Sequence, residues 1–254
     1  MKCLVFGSAI LLVAACAPAQ RLPRAEQLLP RINAYVEQYR AAVPSFEADE
    51  SAVVERLKGD QVKQEVHLDM TLREERDPSA RGGFRDHYTF HLVDGNAPRS
   101  HFKLPYFVQD VFSNVIGFGR VDQQSCFDYR VSSGPTSGTV QLEMSLKPAP
   151  LPPVCSGIFE NYRKTVVVDP STGAIEHVTR SMSASAAHKN HEIPFLSLDY
   201  APQDLGGQTF WLPIRFDACD QSPGRRMTAT YSNFHRFTST SRILGTSPAP
   251  GTDQ

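Results

Sequence analysis

The sequence predicts an α+β fold that is mainly antiparallel β: a curved sheet or incomplete barrel, covered by an N-terminal helix and a short aromatic helix. Three observations predict it. One stretch near the N-terminus places apolar residues at helical spacing. Most of the remaining chain alternates apolar and polar residues with period two between Gly- and Pro-containing turns. A third stretch, Leu104 to Ile116, is dense in aromatics at 3–4 spacing. Strands with one wet face need cover on the other, and the two helices are the available cover.

The chain starts with a basic Met1-Lys2 and an almost unbroken apolar run from Leu4 to Ala15. That run is shorter than the ~20 apolar residues a membrane-crossing helix needs, and it reads as a cleavable export signal. Two cleavage readings stay open. Val13-Ala14-Ala15-Cys16 resembles a lipobox that would lipidate Cys16, and Ala17-Pro18-Ala19 before Gln20 is an A-x-A site. The predicted organisation is a signal over 1–19 (1–15 for a lipoprotein), one β-rich domain over 20–244 and a disordered tail over 245–254. Cleavage leaves roughly 235 residues, within the range of a single β-rich domain. The expected location is the periplasm or outer membrane of a Gram-negative bacterium. Membrane contact would go through a lipid anchor or transient docking. A formal charge of −1 without a basic block argues against a nucleic-acid partner.

From Ala25 to Val43 the residues Leu28, Leu29, Ile32, Tyr35, Val36, Tyr39 and Val43 form an apolar helical stripe, which Pro44 ends. Phe46, Ala48, Glu50, Ala52 and Val54 then share one side of a strand, with a helical alternative. Val66, Leu68, Met70 and Leu72 alternate more cleanly, and a turn through Asp77-Pro78 and Gly82-Gly83 leads to Tyr88, Phe90 and Leu92, a hairpin pattern. Within Leu104–Ile116, Val108, Val111, Phe112 and Val115 predict the short helix. Strands are expected again at Cys126–Val131 and Thr139–Leu146, followed by a proline-rich loop over Lys147–Pro153. Tyr162–Val168 and Ala174–Met182 form a second hairpin around Asp169–Gly173. Phe195–Tyr200, Thr209–Ala218 and Arg226–Phe237 complete the set.

Five cysteines are present, of which Cys3 and Cys16 belong to the signal region. In an oxidising compartment two of Cys126, Cys155 and Cys219 should pair. Cys126 with Cys155 is the preferred pair, since both lie near strands joined by a hairpin-forming segment, although spacing does not decide among the three pairings. No C-x-x-C spacing supports zinc or thioredoxin-like chemistry.

The polar constellations carry little chemistry, and neither a catalytic residue nor a metal or other cofactor is expected. His87 and His91 sit four apart on a strand, ~13 Å by strand rise, too far to share one metal. His188, His191 and Glu192 cluster in a loop without a zinc-protease motif, and no G-x-S-x-G elbow occurs. Glu74-Glu75 and Glu47, Asp49 and Glu50 fit exposed strand edges or turns.

The element order, with Val43-Pro44-Ser45-Phe46, YTFHLVDG (88–95), VDPSTG (168–173), FWLPIR (210–215) and TYSNFHRF (230–237), resembles the lipoprotein-carrier (LolA-like) superfamily. It is similar above all to uncharacterised exported bacterial proteins of that half-barrel type. The resemblance implies an incomplete barrel around an apolar cavity partly plugged by helix, in a non-enzymatic envelope protein that binds an acyl chain, a lipid or a lipoprotein. Phe107, Val111, Phe112, Ile116 and Trp211 are the expected ligand-lining residues, and packing removes apolar area from water by the same physics. Two alternatives stand beside this reading: an envelope hydrolase with an unrecognised site near His188 and His191, and a structural or partner-binding surface protein.

Overall fold

The computed structural model describes residues 22–59, 61–80, 83–99, 121–155, 162–183, 192–220 and 224–237. The signal with Cys16, the Leu104–Ile116 stretch, His188 and His191, and the tail lie outside the described residues.

Among the described residues one α-helix, α1 (Ala25–Ala42), precedes ten strands. A meander of β1 (Phe46–Lys58), β2 (Gln61–Arg76) and β3 (Phe84–Val93) comes first. A second runs through β4 (Phe127–Ser133), β5 (Val140–Leu146), β6 (Tyr162–Val168), β7 (Ile175–Ser183), β8 (Glu192–Asp204), β9 (Thr209–Asp220) and β10 (Arg225–Arg236). The two join where β10 pairs with β1, giving the order β3-β2-β1-β10-β9-β8-β7-β6-β5-β4 with all neighbours antiparallel. β3 and β4 are the two edges, so the sheet is open, the incomplete barrel that the sequence pattern predicts. Residues 94–126 connect one edge to the other and contain the aromatic stretch.

β1 is a strand along its whole length, which settles its helical alternative. Glu50 stands opposite Met70 on β2 and Tyr231 on β10. Two-sided pairing outweighs local helix propensity because β1 from Phe46 to Arg56, apart from Ala48 at a bulge, is held in a ladder from both flanks. β2 and β8 extend well beyond their predicted cores. Their outlying residues Gln61–Glu65 and Glu192–Pro194 lack clean alternation and are held by cross-strand partners. Two short 3₁₀ turns, Val121–Cys126 and Pro153–Cys155, replace the expected loop ends.

The period-two pattern sorts the faces. Phe46, Ala48, Ala52 and Val54 of β1 and Val66, Leu68, Met70 and Leu72 of β2 are buried on the inner face. Phe216, Leu198, Val178, Val166 and Leu142 continue that face across β9 to β5. Each of the larger ones, Val, Leu, Met or Phe, contributes ~1.5–3 kcal/mol on removal from water.

α1 crosses one end of the sheet. Its buried stripe is Leu28, Ile32, Val36 and Tyr39. At the near side the Arg31 guanidinium donates to the Pro170 carbonyl in the β6–β7 turn. In that turn Gly173 has φ +79°, and a Cβ there would lie 2.6 Å from the Arg31 carbonyl. Glycine is therefore required twice, for the left-handed backbone and for the approach of the helix. At the far side Arg76, the last residue of β2, donates to the carbonyls of Arg40 (2.9 Å), Ala41 (2.7 Å) and Val43 (3.2 Å), supplying donors to the helix C-terminus. A helix of 18 residues is ~27 Å long and ~10–12 Å across. Ten strands at ~4.8 Å spacing measure ~43 Å. α1 therefore covers one end of the inner face and leaves the rest of its cover to other segments.

Cys126 and Cys155 form a disulfide with Cα atoms 5.7 Å apart, as preferred from sequence, and it ties together the two 3₁₀ turns. Cys219 takes no part in it and is half-buried on β9, with Arg226 of β10 opposite.

Candidate functional site: a polar seam on the inner face

The inner face is not purely apolar. Glu50 of β1 and Glu74 of β2 are 2% and 0% exposed. This corrects the expectation that both occupy exposed edges or turns. Their positions continue the inward alternations Phe46-Ala48-Glu50-Ala52 and Leu68-Met70-Leu72-Glu74, so strand register carries them inside regardless of charge. The same alternation takes Lys164 of β6 to 2% exposure, in register with Val166 and Val168.

Around the carboxyls stand phenols. The Tyr231 hydroxyl donates to Glu50 Oε1 at 3.4 Å, and the Tyr88 hydroxyl donates to Asp86 at 3.0 Å. Burial pushes the Glu50 carboxyl up to about 8, against a smaller opposing effect from the Tyr231 hydrogen bond, and the charge of Asp86 raises it further. Glu50 is therefore largely protonated at neutral pH and offers an O–H donor. Its second oxygen, Oε2, has no hydrogen-bond partner among the described residues.

The seam continues beneath α1. Tyr35 and Tyr39 pack together in a tilted arrangement on one side of the helix, with ring centroids 6.3 Å apart. Burial holds the Tyr39 hydroxyl well above the ordinary phenol range, reinforced by Tyr35 and Glu74. Tyr200 of β8 is raised in the same way, first by burial and then by Tyr39 and Tyr35, with Arg180 of β7 opposing. On the far flank burial holds the Lys164 ammonium well below its usual range, and its cross-strand neighbour Arg180 lowers it further. Acids thus lie on the β1–β3 side, bases on the β6–β7 side, and neutral phenols between them.

The outer face carries a different arrangement. His177 Nδ1 lies 2.6 Å from Asp199 and Nε2 lies 2.7 Å from Thr179 Oγ1. This has the order of an acid–histidine–hydroxyl relay. It stands on a paired strand, where the neighbouring N–H groups are engaged in the ladders with β6 and β8 instead of converging on an oxyanion. It acts as a cross-strand polar cluster. His87 and His91 are exposed on β3 with separate partners, Glu75 at 3.5 Å and Thr71 at 2.8 Å.

Of the expected ligand-lining residues, Trp211 is half-buried on β9 opposite Pro202 and packs against the core. Phe107, Val111, Phe112 and Ile116 lie outside the described residues, in the connection between the sheet edges. Sequence reasoning missed the seam itself. The signal that finds it is the inward register of Glu50, Glu74 and Lys164, read without assuming that charge means exposure.

No family model matches the chain, and no curated protein matches it. Among solved structures it is similar to a DUF1329 family protein from Desulfovibrio piger, at 12% identity over 86% of this chain and 95% of that one, with a TM-score of 0.41. It is also similar to a LolA superfamily protein from Nitrosomonas europaea, at 11% identity over 89% and 99%, TM-score 0.38. A domain assigned to outer membrane lipoprotein sorting, from Vibrio parahaemolyticus, matches at 11% identity over 84% and 93%, TM-score 0.38. At 11–12% identity these are likenesses of backbone arrangement.

Proposed function

We propose that this chain is an exported, non-enzymatic envelope protein that holds an acyl chain, of a lipid or a lipoprotein, against the inner face of its open sheet. The observation that carries the reading is the mismatch between that long apolar face and a single described helix at one end of it. Residues 94–126, which link the two edges, supply the second cover. Phe107, Val111, Phe112 and Ile116 on that segment, with Trp211 on β9, line the guest. Burial of hydrocarbon drives binding at ~0.8 kcal/mol per methylene. Export follows from the N-terminal signal, with attachment through Cys16 if the lipobox is used. An anchored form would receive or sense its guest at the membrane, and a soluble form would carry it.

The test is titration of the purified domain with an environment-sensitive naphthylamine dye, followed by displacement with long-chain acyl compounds. Saturable dye binding, reversed by the acyl compounds and weakened by Phe112→Asp, is the expected result. A flat titration of folded protein would overturn the proposal.

A further inference from the structure

The Tyr39 hydroxyl, on the last turn of α1, and the Tyr200 hydroxyl, on β8, are both buried without a hydrogen-bond partner among the described residues. Tyr35 differs, since its hydroxyl takes a backbone hydrogen bond from Ile175. Two orphaned phenols within electrostatic reach of each other are unusual, because a buried hydroxyl without a partner keeps its full desolvation penalty. A phenylalanine at either place would fill the same space without that penalty. The hydroxyls are donors that stay protonated, so what satisfies them is an acceptor oxygen.

The surroundings narrow the acceptor. Glu74 acts on Tyr39 from one side and Arg180 on Tyr200 from the other. A full anion would meet the Glu74 carboxyl and a full cation would meet the guanidinium. An uncharged carbonyl meets neither cost and accepts two hydrogen bonds on its two lone pairs.

We infer that Tyr39 and Tyr200 form a subsite that reads the ester or amide carbonyl of an acylated guest, at the end of the inner face crossed by α1. This rests on the acyl-holding function proposed above and specifies which atom of the guest is recognised. Apolar contact grips the chain, and the two phenols set how deep it sits. Guests with an acyl linkage are thereby favoured over alkyl chains of equal length.

The experiment compares methyl palmitate with hexadecyl methyl ether in displacing the naphthylamine dye from the full mature domain. The two differ in the carbonyl oxygen and share the hydrocarbon. Wild type should hold the ester roughly tenfold more tightly, the size expected for one to two net hydrogen bonds. In Tyr39→Phe/Tyr200→Phe that preference should fall to near unity, with the ether bound as before and the guest-free protein melting no lower than wild type. If wild type binds both compounds equally, the subsite is refuted while the acyl-holding function stands. If it binds neither, both fail. A double variant that melts lower yet keeps the ester preference would show that the phenols serve the fold, and that result would also overturn the inference.

Discussion

Replacing Glu50 by glutamine keeps the size and the hydrogen-bonding reach of the side chain while removing its proton equilibrium. In the folded protein burial pushes this carboxyl from an ordinary 4.5 to about 8. The unfolded chain releases the proton near 4.5, whereas the folded state retains it. Stability contributed by Glu50 is therefore full below pH 4.5, declines as pH rises through the interval, and is lost once pH passes about 8. The slope approaches ~1.4 kcal/mol per pH unit, for a total on the order of 5 kcal/mol between 4.5 and about 8. The glutamine side chain is neutral in both states, so Glu50→Gln should be near neutral or mildly destabilising at pH 4.5 and stabilising by several kcal/mol about half a unit above the folded value. Urea midpoints of both proteins, followed from the unfolded value of 4.5 to just above 8, give the difference curve, in which groups titrating alike in the two proteins cancel. Parallel curves would refute the reasoning, since they would mean that the Glu50 carboxyl reaches water or a cation.

Gly173→Ala should destabilise by about 2–5 kcal/mol, from a left-handed backbone and a Cβ forced against the Arg31 carbonyl. Gly59→Ala is the control: its φ is +59° but nothing lies within 4 Å, so only the ~1 kcal/mol backbone cost is expected. Equal losses in the two variants, measured by urea denaturation, would show that α1 does not seat on the β6–β7 turn. Replacing Cys126 and Cys155 together by Ser should lower stability by about 3.6 kcal/mol, the chain-entropy value for a sequence separation of 29. Reductant should produce the same loss in wild type and none in the double variant, and an unchanged wild-type midpoint would contradict the bond's structural role.

The sheet was legible because its strands obey period two over many residues, and the turns carried their own chemistry, as Asp169–Gly173 shows. The disulfide was legible as a preference, since both cysteines flank strands that become neighbours. The meeting of β10 with β1 depends on a pairing across the whole chain, which no local pattern encodes. The polar seam was harder. Glu50, Glu74 and Lys164 occupy inward positions, yet a charged residue in an alternating run is equally consistent with an edge or a bulge. Only the ladder on both sides of β1 fixes Glu50 inside. Tyr39 and Tyr200 read as ordinary apolar-stripe residues until their neighbours were known. The geometry of a half-open barrel sets Tyr200 of β8 against the crossing helix and Tyr39 on that helix's buried stripe, and sequence periodicity has no term for that depth.

Whether the inner face holds an acyl chain is tested most directly by native mass spectrometry of protein purified gently from envelope, with the organic extract analysed alongside. The predicted result is a stoichiometric acylated lipid that is lost in Phe112→Asp while the variant remains folded, and the same spectrum reads whether Cys16 carries acyl chains. A clean guest-free mass from mild extraction, with an extract containing no acyl compound, would contradict it.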